Sequence, residues 1–163
     1  IAVTERQIAA VVEVPTSDGK SIQPWAIASD HMWLMPIPDR ESEAGQRTSA
    51  KVYEDADAAL HIKEVPFGTN PQVGAYCTDD SVLNALDIVS GMTTELAGRV
   101  KTVYADGVEE TRLGLDNNVE IAFGSADNIR DKERVALGIM EQHPDSVAYI
   151  NVRDPASPTY RAL

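Results

Sequence analysis

Leu113-Gly114-Leu115-Asp116-Asn117-Asn118-Val119-Glu120-Ile121-Ala122-Phe123-Gly124 reads as two alternating strands about a turn, and it opens the stretch to Leu163 that decides the fold. Leu113, Leu115, Val119, Ile121 and Phe123 fall on one face while Glu120 points to water, so one side of this sheet is apolar and the other wet. Asn117-Asn118 suits a two-residue type I′ turn, because both central positions need positive φ and Asn tolerates that better than other non-glycine residues. Ser125 is placed to cap a following helix, with Asp127 in its first turn at the positive end of the helix dipole. Ile129, Ala136, Ile139 and Met140 recur at helical spacing as its inner stripe, and His143-Pro144 ends it. Residues 147–152 return as a strand, and Asp154-Pro155 and Pro158 precede a short tail. The unit is strand, turn, strand, helix, strand.

Upstream of that unit, residues 100–105 form a strand that Asp106-Gly107 turns into the next, with Thr111, Leu113 and Leu115 alternating. Asp79 or Asp80 caps a helix whose Val82, Leu86 and Val89 stripe, widened by Leu83 and Met92, must face a sheet, with Gly98 as its C-cap. Residues 66–71, with two prolines and a glycine, are a loop after a short strand over 60–65. Residues 39–59 are polar, charged or small with almost nothing to bury, and read as a mobile loop or a short exposed helix near its end. Residues 24–28 and 31–35 pair as a hairpin bent at Ser29-Asp30 and stopped by Pro36 and Pro38. Residues 1–14 are a long strand that ends at Pro15 before the turn cluster Thr16-Ser17-Asp18-Gly19. Together these elements predict an α+β fold with a mostly antiparallel sheet and two helices packed on one face.

A chain of 163 residues with 43% hydrophobic content buries one good core. Its 26 acidic residues against 14 Lys and Arg leave a net charge of −12, which opposes a nucleic-acid backbone and is otherwise a solubilising surface. No apolar run reaches the roughly 18 residues of a membrane span, and no basic and apolar leader is present. Cys77 stands alone, so neither an intrachain disulfide nor a cysteine zinc cluster can form.

Chemistry-bearing patterns are weak. His31, His61 and His143 lie far apart with no spacing that places two ligands on one helical face, which specifies no metal site and favours ordinary surface or strand histidines. The acidic runs at 54–57 and Glu109-Glu110 look like solvated faces, and nothing selects a catalytic pair. There is no nucleophile elbow. Cys77 precedes a helix N-terminus, which favours a lowered thiol pKa, although a structural thiol is the plainer reading. Phe123-Gly124-Ser125 is too short for a phosphate loop. Trp25 and Trp33 suit a core, while Tyr149 and Tyr160 suit either a core margin or an interface. No catalytic or cofactor-binding residue is assigned.

Beyond these local patterns, the chain resembles the extracytoplasmic β domain of the FtsQ/DivIB bacterial cell-division proteins. Val3-Thr4-Glu5-Arg6-Gln7-Ile8-Ala9-Ala10 resembles the last strand of that family's POTRA module, with Ile8 where the family has proline. The Trp25 hairpin is similar to the next strand pair, without the glycine at its bend. His61-Ile62-Lys63-Glu64-Val65-Pro66, the helix from Asp80, Leu113 through Gly124, the helix from Ala126 and Tyr149-Ile150-Asn151-Val152-Arg153 then follow the family's order.

The resemblance implies that residues 1–14 are the last POTRA strand and residues 15–163 the β domain. It implies a non-catalytic divisome scaffold, without cofactors, held in the cell membrane by one N-terminal helix and lying on the extracytoplasmic side at the division septum. Its partners would be FtsB/DivIC- and FtsL-type division proteins, whose coiled coils dock on the last strands by strand addition. Carried residue by residue, the binding residues are Tyr149, Arg153, Thr159, Tyr160 and Arg161. The rival reading is an envelope enzyme or ligand-binding module of mixed α/β build, which would need a water-excluded pocket of converging titratable groups. A cytosolic adaptor with the same sheet is a third.

Overall fold

The computed structural model describes residues 6–163. Nine strands form one sheet: β1 (Ala10–Pro15), β2 (Ile22–Ile27), β3 (Trp33–Pro36), β4 (Leu60–Lys63), β5 (Val100–Tyr104), β6 (Arg112–Leu115), β7 (Glu120–Ala122), β8 (Val147–Asn151) and β9 (Thr159–Ala162). Five helices lie between them: α1 (Glu43–Gln46), α2 (Ala50–Ala58), α3 (Asp80–Gly91), α4 (Thr94–Ala97) and α5 (Ile129–Gln142). The spatial order is β3-β2-β1-β4-β5-β6-β7-β8-β9.

The sheet corrects the expected fold class, because it is mixed rather than mostly antiparallel. Strands joined by short turns pair antiparallel, as in β1/β2, β2/β3, β5/β6, β6/β7 and β8/β9. Strands separated by helices pair parallel, as in β1/β4, β4/β5 and β7/β8. The reason is geometric: a helix carries the chain back to the end from which it started, so the next strand runs in the same direction. The helices also number five, not two, and they cover both faces. Val82, Ala85 and Ile88 of α3, Leu96 of α4 and Ala136 of α5 pack on Val12, Ile62, Val103, Leu113, Ile121 and Ile150. On the opposite face Ala56 of α2 packs with Val11, Ala26 and Ile37, with Tyr53 beside them. The architecture remains α+β.

Several local readings also change. Residues 39–59, expected as a mobile loop or a short exposed helix near its end, hold α2 near that end and α1 before it, each started by a serine: the Ser42 Oγ accepts from Gly45 N–H and the Ser49 Oγ from Lys51 N–H. The long first strand is shorter than expected, beginning at Ala10, and residues 1–5 lie outside those described. The helix expected to end at Gly98 breaks at Met92 into α3 and α4, and Asp79 caps α3 by accepting from Val82 N–H at 3.0 Å. The turn at Asp106-Gly107 is a longer loop, since β6 starts only at Arg112. At the β6–β7 turn only Asn118 is left-handed (φ 67°), and its N–H bonds to Leu115 O. That is a three-residue hairpin loop, not the two-residue type I′ turn. Helix α5 starts at Ile129 after a left-handed Asn128 rather than at Ser125.

The most buried side chains of α5 include two charges. Lys132 (1% exposed) donates to Ser125 O and Asp127 Oδ1 and lies over the Phe123 ring. Glu133 (3% exposed) accepts from the Thr93 N–H and hydroxyl. Each is tolerable inside because its polar atoms are bonded. Trp33 is buried and Trp25 half-buried against it, with ring centroids 6.0 Å apart at 73°.

Candidate functional site

The two edges of a sheet are where its backbone is free to pair, so their fates differ in consequence. At the β3 edge, residues 72–77 form a strap. Gly74 N–H bonds to Trp33 O, Trp33 N–H to Ala75 O, and Cys77 N–H to His31 O, each within 2.9 Å. The β9 edge carries no such cover among the described residues, and all four of its residues are exposed.

The direction of the free groups follows from neighbouring bonds. Leu163 N–H bonds to Ser146 O, which turns residue 163 inward toward the β8 side. By strand alternation Thr159 and Arg161 also direct their backbone groups at β8, while those of Tyr160 and Ala162 face outward. Val152 N–H bonds to Ala122 O, so Ile150 likewise faces β7, in agreement with a non-bonded Ile150/Tyr160 pair. Pro158 closes the start of the edge, having no N–H.

The five residues expected at the binding edge separate into three places. Thr159, Tyr160 and Arg161 lie on β9. Tyr149 lies one strand inward on β8, so its backbone is enclosed and only its side chain reaches the surface. Arg153 sits in the turn between β8 and β9, its N–H bonded to Asn151 Oδ1 at 3.1 Å and its side chain beside Gly124. Side chains alternate across β9. Tyr160 (45% exposed) shares the helix-covered face with Ile150 and stacks on His143 at the end of α5, centroids 4.7 Å apart. Arg161 is on the other face with its guanidinium 4.5 Å from the Tyr149 ring centroid.

That other face, between β4 and β9, has no helix over it among the described residues and is polar in the way the alternation of β6 and β7 implied. Arg112 is at its centre, bonded to Glu120 and Glu64 at 2.7 Å each and lying over Tyr104. Burial opposes the Arg112 charge, yet Glu120 and Glu64 outweigh it and hold the guanidinium above its ordinary pKa. Sequence reasoning missed this network, because its members come from β5, β6, β7 and the residue after β4, whose adjacency no local pattern states. The parity of Arg112 and Glu120 in their strands was the available signal.

Residues suspected of chemistry do not converge. His31 lies 3.6 Å from Asp87, His61 bonds Ala56 O, and His143 packs on Tyr160. Among the described residues no group of three or more His, Cys, Asp or Glu is placed to hold a metal ion. Burial pushes the Cys77 thiol up, opposite to the lowered value its position before α3 suggested, since desolvation outweighs the nearby Asp79 backbone. A cleft of about 410 Å³ between the β6–β7 turn and the end of α5 includes Glu95, Arg99, Glu141 and His143, with Arg99 already facing Asp116 at 3.7 Å. No helix among the described residues is long and apolar enough to cross a membrane. Comparison with protein-family models found no match to this chain, and comparison with curated proteins found none.

Proposed function

We propose that this chain is a non-catalytic scaffold of the bacterial division machinery that binds an FtsB/DivIC- or FtsL-type partner by strand addition at β9. In this reading it lies on the extracytoplasmic side of the membrane at the septum, held there by a helix N-terminal to it. The observation that carries the reading is the contrast between the two sheet edges: β3 is strapped by residues 72–77, whereas Tyr160 and Ala162 direct unpaired backbone groups outward. The residue-level resemblance to FtsQ/DivIB in the last 50 or so positions supplies the class of partner. A strand laid on β9 gains about four backbone hydrogen bonds at roughly 1 kcal/mol net each, which is modest and leaves register to side chains. Tyr160 and Arg161, on opposite faces, are the anchors able to set it.

Proline at Ala162 tests the mechanism, because it removes an outward N–H and leaves the β8 ladder intact. Calorimetry of the chain with the soluble coiled-coil ectodomain of its FtsB/DivIC-type partner is expected to show binding, weakened at least tenfold by Ala162→Pro, at an unchanged urea midpoint. Equal binding by Ala162→Pro removes strand addition at β9, and no binding by the unaltered chain removes the scaffold reading.

A further inference from the structure

The polar face of the sheet carries a second feature, distinct from the β9 edge. Six of the 14 Lys and Arg, namely Lys20, Lys63, Lys101, Arg130, Arg153 and Arg161, take part in no ion pair among the described residues. Arg130 is bonded to Gly91 O and Arg161 covers Tyr149. Lys63 and Lys101 converge on one cleft of about 450 Å³, lined also by Asp57, His61 and Thr102. Lys63 reaches it by strand parity, opposite the buried Ile62. Lys101 reaches it because the β5–β6 register slips between Val100 and Thr102, and such a bulge re-aims a side chain.

Two further clefts adjoin it, one on each side. It shares Asp57 and His61 with a cleft of about 440 Å³ under α2, where Val11, Ile22 and Ile37 are apolar. It shares Lys101 and Thr102 with one of about 430 Å³ over Tyr104, Gly114 and Glu120. From β1 to β7 the three clefts lie over four inter-strand gaps, roughly 19 Å, the span of about six extended residues. The carboxylates lining the central and far clefts each have a cationic partner: Asp57 has Arg40, Asp116 has Arg99, and Glu120 has Arg112, which it shares with Glu64. Lys63 and Lys101 thus bring two positive charges without an ion-pair partner to one cleft, in a chain of net charge −12. At physiological salt, screening over about 8 Å lets this local charge outweigh the distant acidic surface.

We infer that this row of clefts binds an extended acidic segment of a partner protein, about six residues long, with an apolar residue against Val11, Ile22 and Ile37 and carboxylates on Lys63 and Lys101. The site shares no residue with the β9 edge, so each stands without the other. Amide chemical shifts of the chain titrated with acetyl-Leu-Val-Glu-Glu-Asp-Glu-amide, in about 150 mM salt, provide the test. Shifts are expected at His61, Lys63, Lys101, Thr102 and Gly114. They should weaken at least tenfold in Lys63→Glu/Lys101→Glu, whose spectrum reports that it remains folded, and also when the peptide acids are replaced by Gln. An absence of shifts, shifts confined to β9, equal binding by the Gln peptide, or binding retained in the double variant would each overturn the inference.

Discussion

Asn84 of α3 holds the two loops at one end of the sheet, and replacing it with Leu offers a measurable test of that role. Its Nδ2 donates to Thr111 Oγ1 at 3.0 Å, Gly124 O at 3.1 Å and, more weakly, Val108 O at 3.4 Å, while its Oδ1 accepts from Ala126 N–H at 2.7 Å. It is 7% exposed, and Thr111 is fully buried. Leu keeps the volume but leaves Gly124 O and Ala126 N–H without those partners. Thr111 retains its bond to Gly107 O. An orphaned buried group costs about 1–3 kcal/mol, and Ala126 is only half-buried, so water relieves part of its share. The expected loss is about 3 kcal/mol, which with a urea slope of roughly 2 kcal/mol/M lowers the unfolding midpoint by about 1.5 M. Hydrogen exchange should quicken most at residues 106–111 and 124–127. A midpoint shift under roughly 0.3 M would refute the idea that this side chain joins α3 to the loops before β6 and α5.

Asp127 is held below the usual carboxylate range by the Lys132 ammonium first and the Ser125 hydroxyl second. A lowered native pKa adds stability that is present above the unfolded value near pH 4 and is lost as pH falls through the native one. Urea midpoints of Asp127→Asn should accordingly converge on those of the unaltered chain as pH drops below about 4, and a pH-independent gap would contradict the pairing. Cys77, with its thiol raised by burial, should react with iodoacetamide at pH 8 at least about tenfold more slowly than in the urea-unfolded chain, and equal rates would place it at the surface. Gly45→Ala drives a methyl into the backbone carbonyl of Asp39, which cannot yield as a side-chain tip can. The expected loss of about 2 kcal/mol lowers Tm by about 6 °C, and an unchanged Tm would mean that α1 does not pack there.

How much was readable from the chain depended on whether a feature is recorded locally. Alternation over 113–123 declared an apolar and a wet face, and Asp79 declared the start of α3, because side-chain parity and capping depend on residues a few positions apart. Nothing local marks Lys132 and Glu133 as buried, yet they are, since Ser125 O, Asp127 and Thr93 arrive from other parts of the chain to satisfy them. The polar stretch 50–58 gave little sign of a helix that covers a sheet face: only Ala56 is buried, and its packing partners Val11, Ala26 and Ile37 come from elsewhere. Strand order was likewise hidden, because helical connections made β1/β4, β4/β5 and β7/β8 parallel neighbours.

The sequence by itself therefore determined most of the strands, the helices α3 and α5, the apolar faces and the acidic surface. Only the tertiary structure decided that β3 is strapped and β9 free, that Tyr149 is enclosed while Tyr160 and Ala162 face outward, and that Lys63 and Lys101 meet. Local preference sets how each segment is shaped, whereas an edge, a groove or a shared charge exists only between segments that packing has brought together.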